Sequence, residues 1–288
     1  MQVFHSPDEA RQFVTRHRAA GRTVGLVPTM GALHDGHLSL TQCSQQACDV
    51  TVATIFVNPT QFGAHEDLDR YPRTLEQDCQ SLAAEKVAAV FVPDNQTMYP
   101  DGFSTFVQPP EIAKQLEGVC RPGHFRGVTT IVLKLFQILP ASHAFFGQKD
   151  YQQWKVIETM ARDLNVPIQI TACPTVREQD GLALSSRNRY LSKQDRQRGL
   201  LLYRALTRTQ QLAAAGTIDI SELEMEMRKV LTAVGQPHAG VDRIDYATVV
   251  NAETLAAIDK IDGKAVALIA AHLGSTRLID NMVLELNR

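Results

Sequence analysis

Two histidines, His34 and His37, stand three positions apart in the stretch Pro28-Thr29-Met30-Gly31-Ala32-Leu33-His34-Asp35-Gly36-His37. The stretch joins a short apolar run to a helical pattern, and in an open α/β sheet ligands bind at that kind of junction. Gly31 and Gly36 let the backbone approach a ligand, and a helix N-terminus offers N–H groups to phosphate. Imidazoles can donate hydrogen bonds to charge developing on phosphoryl oxygens. Spaced i, i+3, the two rings can share one helical face. The bland alternative is a pair of surface or capping histidines, and the buried strand before them weighs against it. A zinc site built from His34, His37 and Cys43 is disfavoured, because the spacing matches none of the usual ligand patterns.

Three more groups carry usable chemistry. Asn58 and Gln61 lie just past the end of the second apolar run, where their amides can both donate to and accept from a hydroxyl-bearing ligand. An ordinary Asn-Pro turn is the competing account. Gly147-Gln148-Lys149-Asp150 follows the apolar Ala144-Phe145-Phe146 and precedes a helix, so it opens on the same edge. Without a ligand, Lys149 and Asp150 would be a solvated pair worth under ~1 kcal/mol. In Ser185-Ser186-Arg187-Asn188, hydroxyls and a guanidinium fork suit a triphosphate, although the tetrapeptide alone is an ordinary polar loop.

Alternating strands and helices must position these residues. Thr23 to Thr29 reads as a strand, His37 to Ala47 as a helix, and Val50 to Val57 as a near-continuous apolar strand of the kind covered on both faces. Strands follow at Val87 to Val92, Ala144 to Phe146 and Ile168 to Thr171. Helices are expected at Leu75 to Glu85, Val128 to Leu139 and Tyr151 to Leu164. After about Thr175 the rhythm changes to helices at Lys193 to Ala215 and Ser221 to Val234, then strands at Asp242 to Val250, Ala265 to Ala271 and Thr276 to Asp280. The expectation is an α/β doubly wound parallel sheet over residues 1–177 and a smaller C-terminal α+β domain over residues 178–288.

Composition narrows the partners. The 288 residues suit about two domains. A hydrophobic fraction of 44% and a charged fraction of 21% are those of an ordinary globular chain. A formal net charge of -2 gives no footprint for nucleic acid or an anionic membrane, so small molecules are the expected partners. No apolar signal region or membrane-length run is present, which points to the cytoplasm. Five cysteines without a C-x-x-C pair argue against a disulfide framework.

His34-Asp35-Gly36-His37 resembles the signature of nucleotidyltransferases that include the class I aminoacyl-tRNA synthetases. The longer string from Pro28 to His37, with Phe56-Val57-Asn58-Pro59-Thr60-Gln61-Phe62, resembles the pantothenate synthetase family within that group. The likeness continues through Asp67 to Arg73, Leu116-Glu117-Gly118, Arg121 to Val128, Phe146 to Gln153 and Arg177 to Leu191, covering nearly the whole chain. It implies a Rossmann-like fold and ATP-dependent condensation of pantoate with β-alanine through a pantoyl adenylate, giving pantothenate, AMP and pyrophosphate. ATP with Mg2+ is implied, the metal held mainly by phosphates rather than by protein, and so is a homodimer whose C-terminal domain closes over the active site.

By the same resemblance, ATP contacts fall on Met30, Gly31, Ala32, Leu33, His34, Asp35, Gly36, His37, Gly147, Gln148, Lys149, Asp150, Val176, Leu184, Ser185, Ser186 and Arg187. Catalysis falls on His37, His34, Lys149, Ser185, Ser186 and Arg187, and pantoate and β-alanine binding on Gln61, Gln153 and Asn58. Lys149 would be the phosphate-binding cation and Asp150 would lie near the ribose or magnesium. The family often has Glu where this chain has Gln148, so no charge-dependent role is assigned there. Ser185 to Asn188 occupies the place of the mobile Lys-Met-Ser-Lys-Ser loop of related synthetases. Glu117 and Arg121 could close the nucleotide site or form a simple i,i+4 ion pair. His5, His17, His65, His124, His143, His238 and His272 receive no catalytic role from their spacing. Rival readings are nucleotidyl transfer to a phosphorylated acceptor such as phosphopantetheine, a tRNA synthetase, and an ATP-binding interaction module.

Overall fold

The computed structural model describes residues 1–64, 66–233, 235 and 239–286, so His65, His238 and the expected helix end at Val234 lie outside the described residues. The chain forms two compact units. One holds Met1–Gln148 and Gln152–Pro174, and the other holds Lys149–Tyr151 and the chain from Thr175 on.

The first unit contains β1 (Gln2–Phe4), α1 (Pro7–Ala19), β2 (Val24–Thr29), α2 (Asp35–Ala47), β3 (Val50–Ile55), α3 (Leu75–Ala84) and β4 (Ala89–Phe91). It continues with the short α4 (Asn95–Met98) and α5 (Glu117–Cys120), then α6 (His124–Ile138), β5 (His143–Gly147), α7 (Tyr151–Asp163, all but its first residue) and β6 (Gln169–Cys173). The six strands form one parallel sheet in the order β1-β4-β3-β2-β5-β6. The pleat explains why these strands read as unbroken apolar runs. Leu26, Val52, Ala144 and Phe146 point into a core with α1, α6 and α7 residues such as Val14, Ile131 and Ile157. Val27 and Phe145 point the other way with Leu40 of α2, as do Ala53 and Ile55 with Leu82 of α3. Both faces are covered, as a doubly wound sheet requires.

The sequence expectation missed β1 and α1 and began α6 four residues late. Gly123, left-handed at φ 86°, sets the earlier start at His124. The strand expected to end at Asp280 runs on to Leu284.

The second unit carries α8 (Lys193–Ala214) and α9 (Ile220–Thr232) on an antiparallel sheet of β7 (Arg243–Asn251), β8 (Ala265–Leu273) and β9 (Thr276–Leu284). Its own core gathers Leu202, Leu206, Leu223, Met227 and Leu231 against Ala247, Ala267 and Ile269. This is the expected smaller α+β arrangement. All five cysteines are free, with Cys173 buried and Cys120 exposed. Among the described residues, no helix is long and apolar enough to cross a membrane.

Candidate active site

The sheet order reverses at β2, which has β3 on one side and β5 on the other. The β2–β5 ladder covers only Gly25↔His143 and Leu26↔Ala144, whereas β2 and β3 pair through to Thr29↔Ile55. Pro28 has no N–H to extend a ladder. The carboxyl ends of β2 and β5 therefore part, and a crevice at such a switch point is where ligands bind in open α/β sheets.

The loop leaving β2 is held from within. Thr29 Oγ1 donates to Thr54 O at 2.6 Å and accepts from Gly31 N at 3.2 Å. Gly31 (φ 82°) and Ala32 (φ 51°) are both left-handed, which for the alanine costs roughly 1–2 kcal/mol. Asp78 offsets that cost. Its buried carboxylate accepts from Ala32 N and Leu33 N, each at 2.9 Å, and from Thr74 Oγ1 at 3.1 Å. A Cβ on Gly31 would lie 3.0 Å from Asp78 Oδ2 and from Ile55 Cγ2.

His34 is the residue before α2 rather than part of it, and His37 lies in the first turn after Asp35 and Gly36. Their rings nonetheless meet, with centroids 4.1 Å apart. His34 N donates to His37 Nδ1 at 3.4 Å, the reciprocal half of a capping box in which His34 also takes part.

Asn58 and Gln61 come together in the turn after β3. Asn58 is 1% exposed and spends both amide hydrogens inside the protein, on Gln61 Oε1 at 3.0 Å and Gly127 O at 3.2 Å. Its Oδ1 accepts from Tyr99 OH at 2.7 Å and Thr60 Oγ1 at 2.9 Å. With Oε1 engaged by Asn58, Gln61 donates through Nε2 to Met30 Sδ at 3.2 Å.

On α7 the two neighbouring glutamines divide by role. Gln152 is buried and bonded to Glu117 N, Ile112 O and Gln115 O. Gln153 is half-buried, and its side chain makes no hydrogen bond among the described residues. Arg121 takes Glu66 as its main partner, through Nε–Oε1 at 2.7 Å and Nη2–Oε2 at 2.6 Å, with Glu117 at 3.8 Å. The i,i+4 pair is thus the minor contact.

Gly147 ends β5, and Gln148, Lys149 and Asp150 form one 3-10 turn. Lys149 and Asp150 group with the second unit. There Lys149 O accepts from Asn281 Nδ2 at 2.7 Å, and Lys149 Nζ lies 3.5 Å from Asp150 Oδ1. In that unit an isolated bridge, Arg177↔Ala183, closes a small hairpin, and Leu184 N donates to Val176 O at 3.0 Å. Arg177 anchors it on Asp280 at 2.6 and 2.9 Å, with its guanidinium over Tyr203. Ser185 then caps the 3-10 turn Ser186–Tyr190, its hydroxyl accepting from Arg187 N at 3.3 Å. Asn188 Nδ2 ties that turn back to Ala183 O at 3.1 Å. Among the described residues, no group of three His, Cys, Asp or Glu side chains could hold a metal ion.

Two residues here were not singled out from the sequence. Asp78 left a readable signal, since a carboxylate four residues before the buried Leu82 sits on the core face of α3 and needs a partner. His124 lies in a recognised segment, but its partner Gln61 is 63 residues away.

Comparison with known proteins bears on this arrangement. The family model described as pantoate-beta-alanine ligase matches residues 2–283. The pantothenate synthetase of Moorella thermoacetica is 49% identical over 287 residues, covering 100% of both chains. That of Rhodopirellula baltica is 50% identical, covering 98% of each. The crystal structure of pantothenate synthetase from Thermus thermophilus matches with a TM-score of 0.91 at 41% identity, covering 98% of this chain and 99% of that one. A Francisella tularensis pantoate-beta-alanine ligase, crystallised with beta-gamma ATP and beta-alanine, matches with a TM-score of 0.79 at 33% identity, covering 98% and 97%.

Proposed function

The chain belongs to the pantoate-beta-alanine ligase family and joins pantoate to β-alanine in pantothenate synthesis, and we propose that it does so in two steps through a pantoyl adenylate. In the first, a pantoate carboxylate oxygen attacks the α-phosphorus of ATP and pyrophosphate leaves. In the second, the amine of β-alanine attacks the acyl carbon, AMP leaves, and the amine loses a proton. No side-chain nucleophile is needed. Catalysis comes from in-line positioning and from charge stabilisation on the phosphates.

The observation that carries this reading is the β2–α2 loop at the parted ends of β2 and β5, where the rings of His34 and His37 meet. The nucleotide complex of the Francisella relative supports ATP as the substrate here. His37, His34, Lys149, Ser185, Ser186 and Arg187 are assigned to the phosphates, within a binding set that also takes in Met30 to Gly36, Gly147, Gln148, Asp150, Val176 and Leu184. Gln61 and Gln153 are assigned to pantoate, and Asn58 acts on it through Gln61, because its own donors are spent. Mg2+ arrives as the ATP complex, held by phosphate oxygens and water, a mode that needs no dedicated protein cage. The family likeness also supports a cytoplasmic homodimer, and a monomer alone in light scattering at micromolar concentration would overturn the dimer.

The test is pantoate-dependent exchange of labelled pyrophosphate into ATP without β-alanine. Exchange that requires pantoate is expected. Its absence in a preparation that still makes pantothenate would exclude the adenylate. His37→Ala should slow exchange about 10²- to 10³-fold, the usual cost of one lost transition-state donor, with the fold retained. Wild-type exchange in that variant would remove His37 from its role.

A further inference from the structure

Resting on the assignment of Gln61 to pantoate, we propose that His124 is a positioning residue that fixes where Gln61 presents its carboxamide, and that Arg121 and Glu66 hold His124 in turn. His124 is buried at the start of α6 and lies outside every role derived so far. Its Nδ1 is 2.8 Å from Gln61 O, and its Nε2 is 3.1 Å from Arg121 Nη1. A carbonyl oxygen only accepts and a guanidinium only donates, so the ring has one consistent state: neutral, with the hydrogen on Nδ1 and the lone pair on Nε2. Burial, followed by the charge of Arg121, holds its pKa down to about 4, in keeping with that state.

The local chain brings these groups together. Gly123 adopts a left-handed conformation, and His124 N donates to Arg121 O at 3.1 Å, which sets the two side chains on one turn. Arg121 is itself fixed by two charge-assisted hydrogen bonds to Glu66. A series of contacts thus runs from Glu66 through Arg121 and His124 to the main chain of Gln61. Asn58 fixes the other end of the same residue by donating to Gln61 Oε1. Main chain and carboxamide are both held, and the Nε2 hydrogens are directed away from these two contacts. A rigid ring with a donor on one side and an acceptor on the other meets both demands. A charged imidazole would turn an N–H toward the guanidinium.

The test compares His124→Phe, which keeps the ring volume and removes both contacts, with His124→Asn, whose amide can replace the Nδ1 donor. In the exchange assay, His124→Phe should raise the KM for pantoate about tenfold, the worth of one hydrogen bond. The KM for ATP should stay unchanged, and His124→Asn should recover most of the loss. An unchanged pantoate KM in folded His124→Phe, or equal losses for ATP and pantoate, would overturn the proposal. Gln61→Ala separates the two ideas. If that variant leaves pantoate KM alone, the assignment of Gln61 fails and the positioning role with it. If it raises pantoate KM while His124→Phe does not, only the positioning role fails. Nitrogen-15 NMR of the unmodified protein at neutral pH should show the Nδ1–H tautomer for His124, and an Nε2–H or charged ring would overturn the proposal whether or not the variants fold.

Discussion

Asp78 accepts two main-chain hydrogen bonds from a loop whose backbone is left-handed at consecutive residues, one of them an alanine. Asp78→Asn keeps the shape but turns one acceptor into a donor facing an N–H. Leaving a buried N–H without an acceptor costs about 1–3 kcal/mol. The variant should therefore melt lower and lose at least tenfold in pyrophosphate exchange, since the loop carrying His34 and His37 loses its support. Full exchange in a folded Asp78→Asn protein would show that the loop holds itself. His124 gives a second residue-scale prediction. Its pKa falls from 6.5 when exposed to about 4 when buried, through desolvation and Arg121, partly opposed by Gln61 O, Glu117 and Glu66. Between those values the unfolded chain binds a proton that the folded chain refuses, so stability is full above about pH 6.5 and falls as pH drops toward 4. The loss is on the order of 3 kcal/mol. Urea unfolding at several pH values should show this slope in the wild type and a flatter one in His124→Asn, and identical slopes would assign it elsewhere. Residues inside contiguous motifs, such as His37 and Gln61, were legible because their neighbours in sequence are their neighbours in space. Asp78 and His124 act on residues 46 and 63 positions away, and a single sequence does not display such pairings.

At the scale of elements, the 3-10 turn Pro59–Gln61 rests directly on α6 at Gly127. A Cβ there would lie 2.4 Å from Thr60 O and 2.6 Å from Gln61 N, so only glycine lets the helix and the turn approach this closely. Gly127→Ala must push the turn away, at a cost of about 1–3 kcal/mol for overpacking. The pantoate KM should rise more than the ATP KM, because Gln61 moves with its turn while the β2–α2 loop keeps its Asp78 anchor. Equal changes in both constants would point to general loosening. The longer elements were legible because burial on both faces leaves unbroken apolar strands, and α6 and α7 are strongly amphipathic. β1 was not, since three residues show no period. α1 was not, because only Ala10, Phe13 and Val14 of its 13 residues are buried, although Ser6, Pro7, Asp8 and Glu9 form a recognisable helix start.

For the whole molecule, the change of rhythm after Thr175 corresponds to separate cores. The large parallel-sheet core draws on residues from Ala10 to Met160, and the antiparallel one on residues from Leu182 to Leu284. Lys149–Tyr151 depart from chain order. Asn281 Nδ2 donates to Lys149 O, and Tyr151 OH donates to Ala252 O at 3.0 Å, contacts that no local pattern announces. Cores with separate membership predict separate responses to damage. Leu223 is fully buried between α9 and its sheet, so Leu223→Ala should cost about 2–5 kcal/mol through lost burial and the cavity left behind. Hydrogen exchange measured by mass spectrometry should then show α8, α9 and β7 to β9 losing protection, while β2, β3 and β5 keep theirs. Leu26→Ala, in the other core, should give the mirror result. Equal loss of protection across β1 to β9 in either variant would mean that the chain opens as one cooperative body.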